Sequence, residues 1–225
     1  MQPLFVILFI MFQNIRHIIF DLGGVLLNID YQRTESAFEE IGIPDFKTHY
    51  SQLRQSTFFD DFETGRISEK DFIEGIKQIA TIKLTDEQII HAWNAMLLDF
   101  PLRRLQILQQ LQIHFDTFLL SNTNSIHETC FHNILKSQTG FNSLGVFFDK
   151  IYYSHRIGLR KPDQAVFQLI LDQHQLRPEY TLFIDDSPQH IAAAKELGIQ
   201  TIWLQKGMSI EKDVFREKSN NRSAL

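Results

Sequence analysis

The chain contains little cysteine, and this scarcity excludes one class of protein. Only one of its 225 residues, Cys130, is a cysteine, so no internal disulfide can form. Small secreted scaffolds depend on such cross-links, whereas a chain of this length can bury a full apolar core without them. A single cysteine is also typical of proteins in a reducing compartment, so we expect a cytoplasmic location.

The sequence also lacks an excess of positive charge and a long hydrophobic run. Its net charge is −5, and no dense basic cluster is present that could follow a phosphate backbone. The apolar run Leu4 to Phe12 spans nine residues, whereas a membrane-spanning helix needs about 20. The first basic residue, Arg16, follows this run, which is not the order of a signal peptide. We therefore expect neither a nucleic acid nor a membrane partner.

Short apolar runs rich in β-branched and aromatic residues recur along the chain, with helical patterns between them. Each run ends next to polar or turn residues, as buried parallel strands do. Alternating strands and helices over this length predict an α/β fold with a doubly wound, Rossmann-like parallel sheet. The predicted strands are His17 to Asp21, Thr117 to Ser121, Ile151 to Ser154, Thr181 to Asp185 and Thr201 to Leu204.

One long stretch after the first strand has helical periodicity throughout and no strong strand. Ser68 and Thr85 precede amphipathic segments with an acidic or amide residue three positions later, which predicts capped helices. We therefore predict a small all-helical cap inserted into the α/β domain. The predicted division is an apolar extension 1–14, a core domain 15–30 plus 99–208, a cap 31–98, and a tail 209–225.

Polar residues follow three of the predicted strands and point to one shared crevice. Asp21 ends the first strand, Ser121 and Asn122 end the second, and Asp185 and Asp186 end the fourth. In an open parallel sheet the ligand site lies beyond these carboxyl ends. Arg160-Lys161-Pro162 adds positive charge at a predicted helix start, where free backbone N–H groups attract anions.

This set of side chains suits the hydrolysis of a phosphate ester. Mg²⁺ prefers carboxylate oxygens, which Asp21 with Asp185 and Asp186 would supply. Asp21 would attack phosphorus and form an aspartyl-phosphate that water then hydrolyses. Ser121 Oγ and nearby backbone amides, with Asn122, would bind the phosphoryl oxygens, and Lys161 would neutralise their charge.

Four sequence motifs resemble those of the haloacid dehalogenase superfamily, in the same order. They are DLGGV at Asp21–Val25, LLSNTN at Leu119–Asn124, GLRKP at Gly158–Pro162 and FIDDS at Phe183–Ser187. Together with FETGRIS at Phe62–Ser68, these versions look most like the bacterial α-D-glucose-1-phosphate phosphatase group. The predicted cap also stands where that superfamily inserts its small helical cap.

The resemblance implies a Mg²⁺-dependent phosphatase of small phosphorylated metabolites, with sugar phosphates first. It implies that Asp21 is both nucleophile and metal ligand, that the Gly23 carbonyl and Asp186 complete the protein ligands, and that Asp185 binds beside them or through water. One departure is notable. Most phosphatases of the superfamily carry an aspartate as general acid at the position of Gly23, a role worth about 10²- to 10⁴-fold in rate. We therefore expect a preference for better leaving groups, such as an anomeric sugar phosphate or an aryl phosphate.

Two other functions are compatible with these motifs. A metal-independent hydrolytic dehalogenase would use Asp21 on carbon, although Asp185 and Asp186 would then serve no purpose. A catalytically weak phosphometabolite-binding protein would follow from the missing general acid. The sequence gives no sign of the oligomeric state. His190 is expected at the surface or behind the site. Arg66 and Trp93 are candidates for lining the pocket, although the spacing of Trp93 fits a core.

Overall fold

The computed structural model describes residues 12–46, 48 and 57–215, and a five-stranded sheet lies at its centre. The strand order is β3-β2-β1-β4-β5, and every pair is parallel. Two crossovers run to each side of β1, so the predicted doubly wound α/β fold is confirmed. The strands are β1 His17–Phe20, β2 Asp116–Ser121, β3 Lys150–Tyr153, β4 Thr181–Asp185 and β5 Gln200–Trp203.

The central strand β1 separates two apolar layers. Ile18 and Phe20 are fully buried in one layer, and Ile19 is fully buried in the other. This alternation follows from the two-residue period of a strand whose two faces are both covered by helices. The outer elements are α5 Leu102–Leu111, α6 Ser125–Thr139, α7 Ser154–Ile157, α8 Gln164–His174, α9 Pro188–Glu196, two 3₁₀ turns at Leu144–Phe147 and Pro178–Tyr180, and a π-helical turn at Ile210–Val214.

Helix α8 begins later than the sequence suggests. We predicted Pro162 as its first residue, but Asp163 is the N-cap and its carboxylate accepts a hydrogen bond from Ala165 N at 2.9 Å. Lys161 therefore lies in the turn before the helix and not at its N-terminus. The predicted helix start at Pro162 is wrong, and the first free amides of α8 come after Lys161.

The helical segment forms its own apolar cluster, which is rich in phenylalanine. Its first helix is capped by Asp30, whereas Ser68 and Thr85 form the two predicted capping boxes with Asp71 and Gln88. Within its described residues the helices are α1 Tyr31–Glu40, α2 Phe58–Glu63, α3 Glu69–Ile79 and α4 Asp86–Asn94.

Two chain segments connect the cap to the core, and they run side by side. Ile29 and Leu97 form an antiparallel bridge. Asn28 N donates to the Asp99 carbonyl at 2.9 Å, and Leu98 N donates to the Asn28 carbonyl at 3.0 Å. The cap is thus joined to the core through a narrow, hydrogen-bonded pair of linkers.

Both described ends of the chain pack on the core domain. Phe12 and Phe215 have ring centroids 5.9 Å apart, and Ile210 and Phe215 are buried in the same apolar layer as β1. The tail predicted from residue 209 therefore begins too early. Residues 1–11 of the predicted extension and residues 216–225 lie outside the described residues. None of the helices in the described part is long and apolar enough to span a membrane.

Candidate active site

Three carboxylates meet at the carboxyl ends of the central strands. Asp21 follows β1, and Asp185 and Asp186 end β4 and begin the loop after it. One oxygen atom from each of the three lies within 4.8 Å of the other two. The predicted convergence of residues far apart in the chain is therefore present in the structure.

Lys161 lies beneath these acids and is completely buried. Its Nζ donates to Asp21 Oδ1 at 2.5 Å, to Asp185 Oδ2 at 2.8 Å and to the Leu120 carbonyl at 2.9 Å. All three ammonium protons are thus used, which a buried charge requires. Lys161 fixes the orientation of Asp21 and offsets part of the negative charge of the acid cluster.

The side chain of Asn122 holds the backbone of Lys161 on both sides. Asn122 Nδ2 donates to the Lys161 carbonyl at 2.8 Å, and Lys161 N donates to Asn122 Oδ1 at 2.9 Å. This side chain was predicted to bind phosphate, but its amide is already engaged. The turn that carries Lys161 is therefore attached to the end of β2.

Ser121 ends β2 and lies next to this pair. Its side chain is almost fully buried, and its hydroxyl makes only a 3.5 Å contact with the Asn122 carbonyl among the described residues. The Thr123 N–H donates to Ser154 Oγ at 2.9 Å, so this amide is taken. The Ser121 hydroxyl accordingly has spare capacity to bind a phosphoryl oxygen.

The electrostatics of the three acids differ. Burial, followed by the charge of Asp185, raises the pKa of Asp21 to about 7 although Lys161 opposes the shift. Desolvation in the crevice and the charge of Asp185 raise the pKa of Asp186 to about 6. Burial alone would raise the pKa of Asp185 too, but Lys161 and His190 outweigh it and lower that pKa to about 2. One lysine is thus too little positive charge for three carboxylates.

Asp185 is fully occupied by protein partners. In addition to Lys161, its Oδ1 accepts from Ser187 N at 2.7 Å, and His190 Nδ1 lies 3.0 Å from Oδ2. Of the two positions expected for His190, the structure therefore shows the one behind the acid cluster. Because both oxygens are engaged, Asp185 is better suited to orient Lys161 than to bind a metal directly.

Two adjacent glycines lie beside the acid cluster, and one of them allows the backbone to approach an acid. A Cβ on Gly24 would lie 2.2 Å from Asp186 Oδ2, and its φ of +75° also favours glycine. Gly23 differs because its φ is ordinary, but a Cβ there would lie 3.2 Å from Ile29 Cδ1. Ile29 thus occupies the space beside Gly23.

The donor set fits a hard divalent cation. Asp21 and Asp186 supply carboxylate oxygens in the 4.8 Å cluster, and both have raised pKa values that a nearby positive charge would lower. Mg²⁺ is commonly bound by one or two carboxylates with water and substrate oxygens. The residues present are therefore those that such an ion would use.

The cap contributes two side chains to this region that the sequence did not reveal. Arg160, the residue before Lys161, forms ion pairs with Asp60 and Glu63 of α2. These partners are about a hundred residues away in the chain, so no local pattern could indicate the contact. Arg66 instead pairs with Asp61 at 2.7 Å on the cap surface and is exposed.

Trp93 belongs to the junction between cap and core. Its side chain is buried, and its ring stacks on His127 with centroids 4.9 Å apart. Its Nε1 donates to Asn124 Oδ1 at 3.4 Å, and Asn124 also caps α6 through His127 N. The core interpretation of Trp93 is correct.

Comparison with known proteins identifies the family. A family model of haloacid dehalogenase-like hydrolases matches residues 15–198. The chain belongs to this family. The expected superfamily is thereby confirmed, and the protein is a hydrolase of the haloacid dehalogenase-like family.

Individual members of this family are similar over most of their length. D-ribitol-5-phosphate phosphatase of Bacteroides thetaiotaomicron is 31% identical over 193 residues, which cover 86% of this chain and 93% of the relative. A solved enzyme of the family from the same organism, in complex with magnesium and inorganic phosphate, is 32% identical, has a TM-score of 0.76, and is matched over 86% of this chain and 96% of its own. A family hydrolase from Porphyromonas gingivalis is 32% identical with a TM-score of 0.77, over 86% of this chain and 93% of its own.

Proposed function

We propose that this haloacid dehalogenase-like hydrolase is a Mg²⁺-dependent phosphatase of small phosphorylated sugars or polyols. The observation that carries the proposal is the buried Lys161 Nζ, which bonds Asp21 and Asp185 directly below a third carboxylate. This arrangement places the Asp21 carboxyl group beside positive charge, and one lysine among three acids leaves negative charge that a cation would offset. Similarity to a D-ribitol-5-phosphate phosphatase supports the same class of substrate.

In the proposed reaction Asp21 is the nucleophile. One of its carboxylate oxygens forms a bond to phosphorus while the bond from phosphorus to the alcohol oxygen breaks, which gives an aspartyl-phosphate and the alkoxide. Water then attacks phosphorus, releasing inorganic phosphate and restoring the Asp21 carboxylate. Lys161 stabilises charge on the phosphoryl oxygens and keeps Asp21 in place, and Ser121 Oγ donates to one of those oxygens.

Asp21, Asp186 and the Gly23 carbonyl would hold the Mg²⁺ ion, with Asp185 acting behind them through Lys161. When bound, the ion supplies the positive charge that offsets repulsion between the phosphate dianion and the Asp21 carboxylate. Lys161 alone does not neutralise the cluster, because the pKa of Asp21 and that of Asp186 are still raised.

A second part of the proposal concerns how the rate depends on the leaving group of the ester. A phosphatase with Gly23 in place of an acidic residue has no carboxyl at this position to protonate the departing oxygen. We therefore propose that esters with better leaving groups react faster than simple alkyl phosphates. Anomeric sugar phosphates and aryl phosphates belong to the first class, and polyol phosphates belong to the second.

The experiment is a phosphate-release screen over sugar, polyol and aryl phosphates, with Mg²⁺ and with EDTA. We expect Mg²⁺-dependent release that Asp21→Asn abolishes. The matched control Asp172→Asn changes an exposed carboxylate on α8 and should retain the wild-type rate. Wild-type activity in Asp21→Asn would overturn the proposed nucleophile.

The same screen separates the rival functions. Release of halide from 2-haloacids that EDTA does not diminish would favour a dehalogenase. Tight binding of phosphorylated metabolites without turnover would favour a binding protein. Either result would replace the phosphatase proposal.

A further inference from the structure

Arg160 connects the catalytic turn to the cap. Its Nη2 lies 2.8 Å from Glu63 Oε2, and its Nη1 contacts the carboxylate of Asp60. Both acids belong to α2; the Arg160 and Glu63 side chains are half-buried, with 27% and 24% of their surface exposed, and Asp60 is 41% exposed. Ion pairs with limited solvent access are screened less than surface pairs, so this contact is a specific anchor between the two parts.

The core end of this anchor is rigid. Arg160 directly precedes Lys161. The backbone N–H and carbonyl of Lys161 are hydrogen-bonded to the Asn122 side chain, and its ammonium group is hydrogen-bonded to Asp21. The Arg160 carbonyl also accepts from Asp163 N at 3.0 Å at the start of α8. The guanidinium group therefore extends toward the cap from a turn that cannot move without moving Lys161.

The cap end lies close to the core backbone. Gly65 follows α2 with a φ of +69°, and a Cβ there would lie 2.3 Å from the His155 carbonyl oxygen of α7. The segment from α2 to Gly65 thus rests directly on the part of the core that leads to Arg160. The linkers at Ile29 and Leu97 and the stacking of Trp93 on His127 also connect cap and core.

Charge explains why an arginine is needed at this position. Helix α2 carries three acids, and Arg66 of the cap neutralises one of them, Asp61. Asp60 and Glu63 rely on Arg160 of the core. Without Arg160 two carboxylates would face each other and the active-site turn, and they would repel both the core acids and an incoming phosphate dianion.

We propose that Arg160 is a specificity-determining residue that fixes α2 of the cap over the active site. Arg160 is a positioning residue: through α2 it holds the cap against the part of the substrate beyond the phosphoryl group, whereas the phosphoryl group itself is bound by Lys161. This inference about selectivity rests on the proposed phosphatase function. Substrates long enough to contact the cap depend on Arg160, whereas a planar aryl phosphate that reacts at the core depends on it much less.

The first test needs no catalysis. Hydrogen exchange followed by mass spectrometry of residues 57–66 reports how firmly α2 is held. We expect exchange of this peptide to be at least about tenfold faster in Arg160→Ala. The matched control Arg66→Ala removes an arginine–aspartate pair from the same segment without touching the core, and it should leave the exchange within about twofold of wild type. Asp60→Asn/Glu63→Gln should reproduce Arg160→Ala.

The second test measures selectivity. In Arg160→Ala we expect the KM for a polyol 5-phosphate to rise about tenfold, while kcat for p-nitrophenyl phosphate stays within about twofold of wild type. Arg160→Lys, which retains a cation, should recover part of the affinity. An equal fall in kcat for both substrates would overturn the inference, because Arg160 would then act through Lys161.

The exchange and selectivity measurements together distinguish failure of the phosphatase proposal from failure of the Arg160 proposal. If the wild-type protein releases no phosphate from any ester, the proposed function fails, and the exchange measurement alone decides whether Arg160 holds the cap. If exchange of residues 57–66 is the same in Arg160→Ala and Arg66→Ala, the anchor does not exist and the inference fails regardless of activity.

Discussion

The core and the cap are stabilised in different ways. The core buries charged and polar side chains, such as Lys161 and Asp185 at the candidate active site and Asn124 at the junction with the cap, and each has specific hydrogen-bond partners. The cap buries only Thr34 and Thr64 as polar residues within its described ranges, and both donate to backbone carbonyls of the cap itself. Its interior is otherwise formed by aromatic and aliphatic groups.

This difference predicts how each region responds to substitution. A buried polar network loses much when one member is removed, because the remaining partners stay desolvated and unpaired. An aromatic cluster loses packing in proportion to the volume removed, and it tolerates changes that keep the volume. Substitutions in the core should therefore affect chemistry, whereas substitutions inside the cap should affect local stability.

The largest effect is expected for Lys161→Met. Methionine has nearly the same length but no charge, so Asp21 loses the cation that holds and neutralises it. We expect kcat to fall about 10³-fold, or about 4 kcal/mol, in a phosphate-release assay. Because the lone Asp185 carboxylate could also weaken folding, the double variant Lys161→Met/Asp185→Asn removes one charge of each sign and serves as the folded comparison. Activity near wild type in a folded variant would contradict the role of Lys161.

The corresponding change in the cap is Phe72→Ala. Phe72 lies at the centre of the aromatic cluster, with its ring centroid 4.2 Å from that of Phe62 and 4.9 Å from that of Trp93. Truncation should lower the local free energy of unfolding by about 3 kcal/mol. Hydrogen exchange of α3 should accelerate strongly while β1 stays protected. Phe72→Leu, which keeps more side-chain volume, should lower the local free energy of unfolding by less than Phe72→Ala does. If hydrogen exchange of β1 accelerates as much as that of α3, the two regions do not unfold separately.

The core was largely predictable from the sequence. Each strand lies within one residue of its predicted bounds, because buried parallel strands are short apolar runs that end in polar residues. The convergence of Asp21 and Asp185 was predictable for the same reason, since the carboxyl ends of neighbouring parallel strands meet at one edge of the sheet. Lys161 was instead predicted from its charge at a helix start, and it lies in the turn before that helix. In a parallel sheet, polar residues that follow separate strands lie together at one edge, so strand ends recognised in the sequence indicate the place of a site.

The remaining features depend on contacts between distant segments. Nothing near Arg160 indicates that it pairs with Asp60, and nothing near Asn122 indicates that its amide is bonded to the backbone of Lys161. His190 lies in the first turn of α9, and its position in the sequence fits a solvent-exposed side chain as well as one that contacts Asp185. These contacts join residues far apart in the chain, and no local sequence pattern specifies which partner a charged or amide side chain meets in the folded protein.

A third prediction tests whether Asn122 positions Lys161. Asn122→Ala removes both hydrogen bonds to the Lys161 backbone without touching its ammonium group. We expect kcat to fall about 30-fold, or about 2 kcal/mol, with a change in KM below about threefold, measured on two substrates of different size. The matched control is Asn133→Ala, which removes an exposed asparagine of α6 and should have no effect. A rise in KM with unchanged kcat would instead support direct phosphate binding by Asn122.

A fourth prediction concerns the junction of the two regions. Gly23→Asp would restore a carboxyl group beside the leaving oxygen, but its Cβ would press on Ile29 Cδ1. The companion change Ile29→Val removes that methyl group. We expect Gly23→Asp/Ile29→Val to hydrolyse a polyol phosphate about tenfold faster, because a proton donor is restored, with no gain on p-nitrophenyl phosphate. Gly23→Asn/Ile29→Val cannot donate the same proton, so an equal gain there would exclude general-acid catalysis.

The smallest effect is expected at His127, where cap and core meet beside Trp93. Burial lowers the pKa of His127 to about 4 from 6.5, so the folded protein keeps this imidazole neutral. Below pH 6.5 the unfolded chain binds the proton more readily, and the free energy of unfolding falls as the pH drops toward 4. At pH 6.0 this loss amounts to about 0.8 kcal/mol relative to pH 8. His127→Gln lacks the titrating group. In urea unfolding, the fall in its free energy of unfolding from pH 8 to pH 6.0 should therefore be smaller than that of wild type by about 0.8 kcal/mol. An identical pH dependence in the two proteins would mean that His127 is already exposed to solvent and that cap and core do not share a sealed junction there.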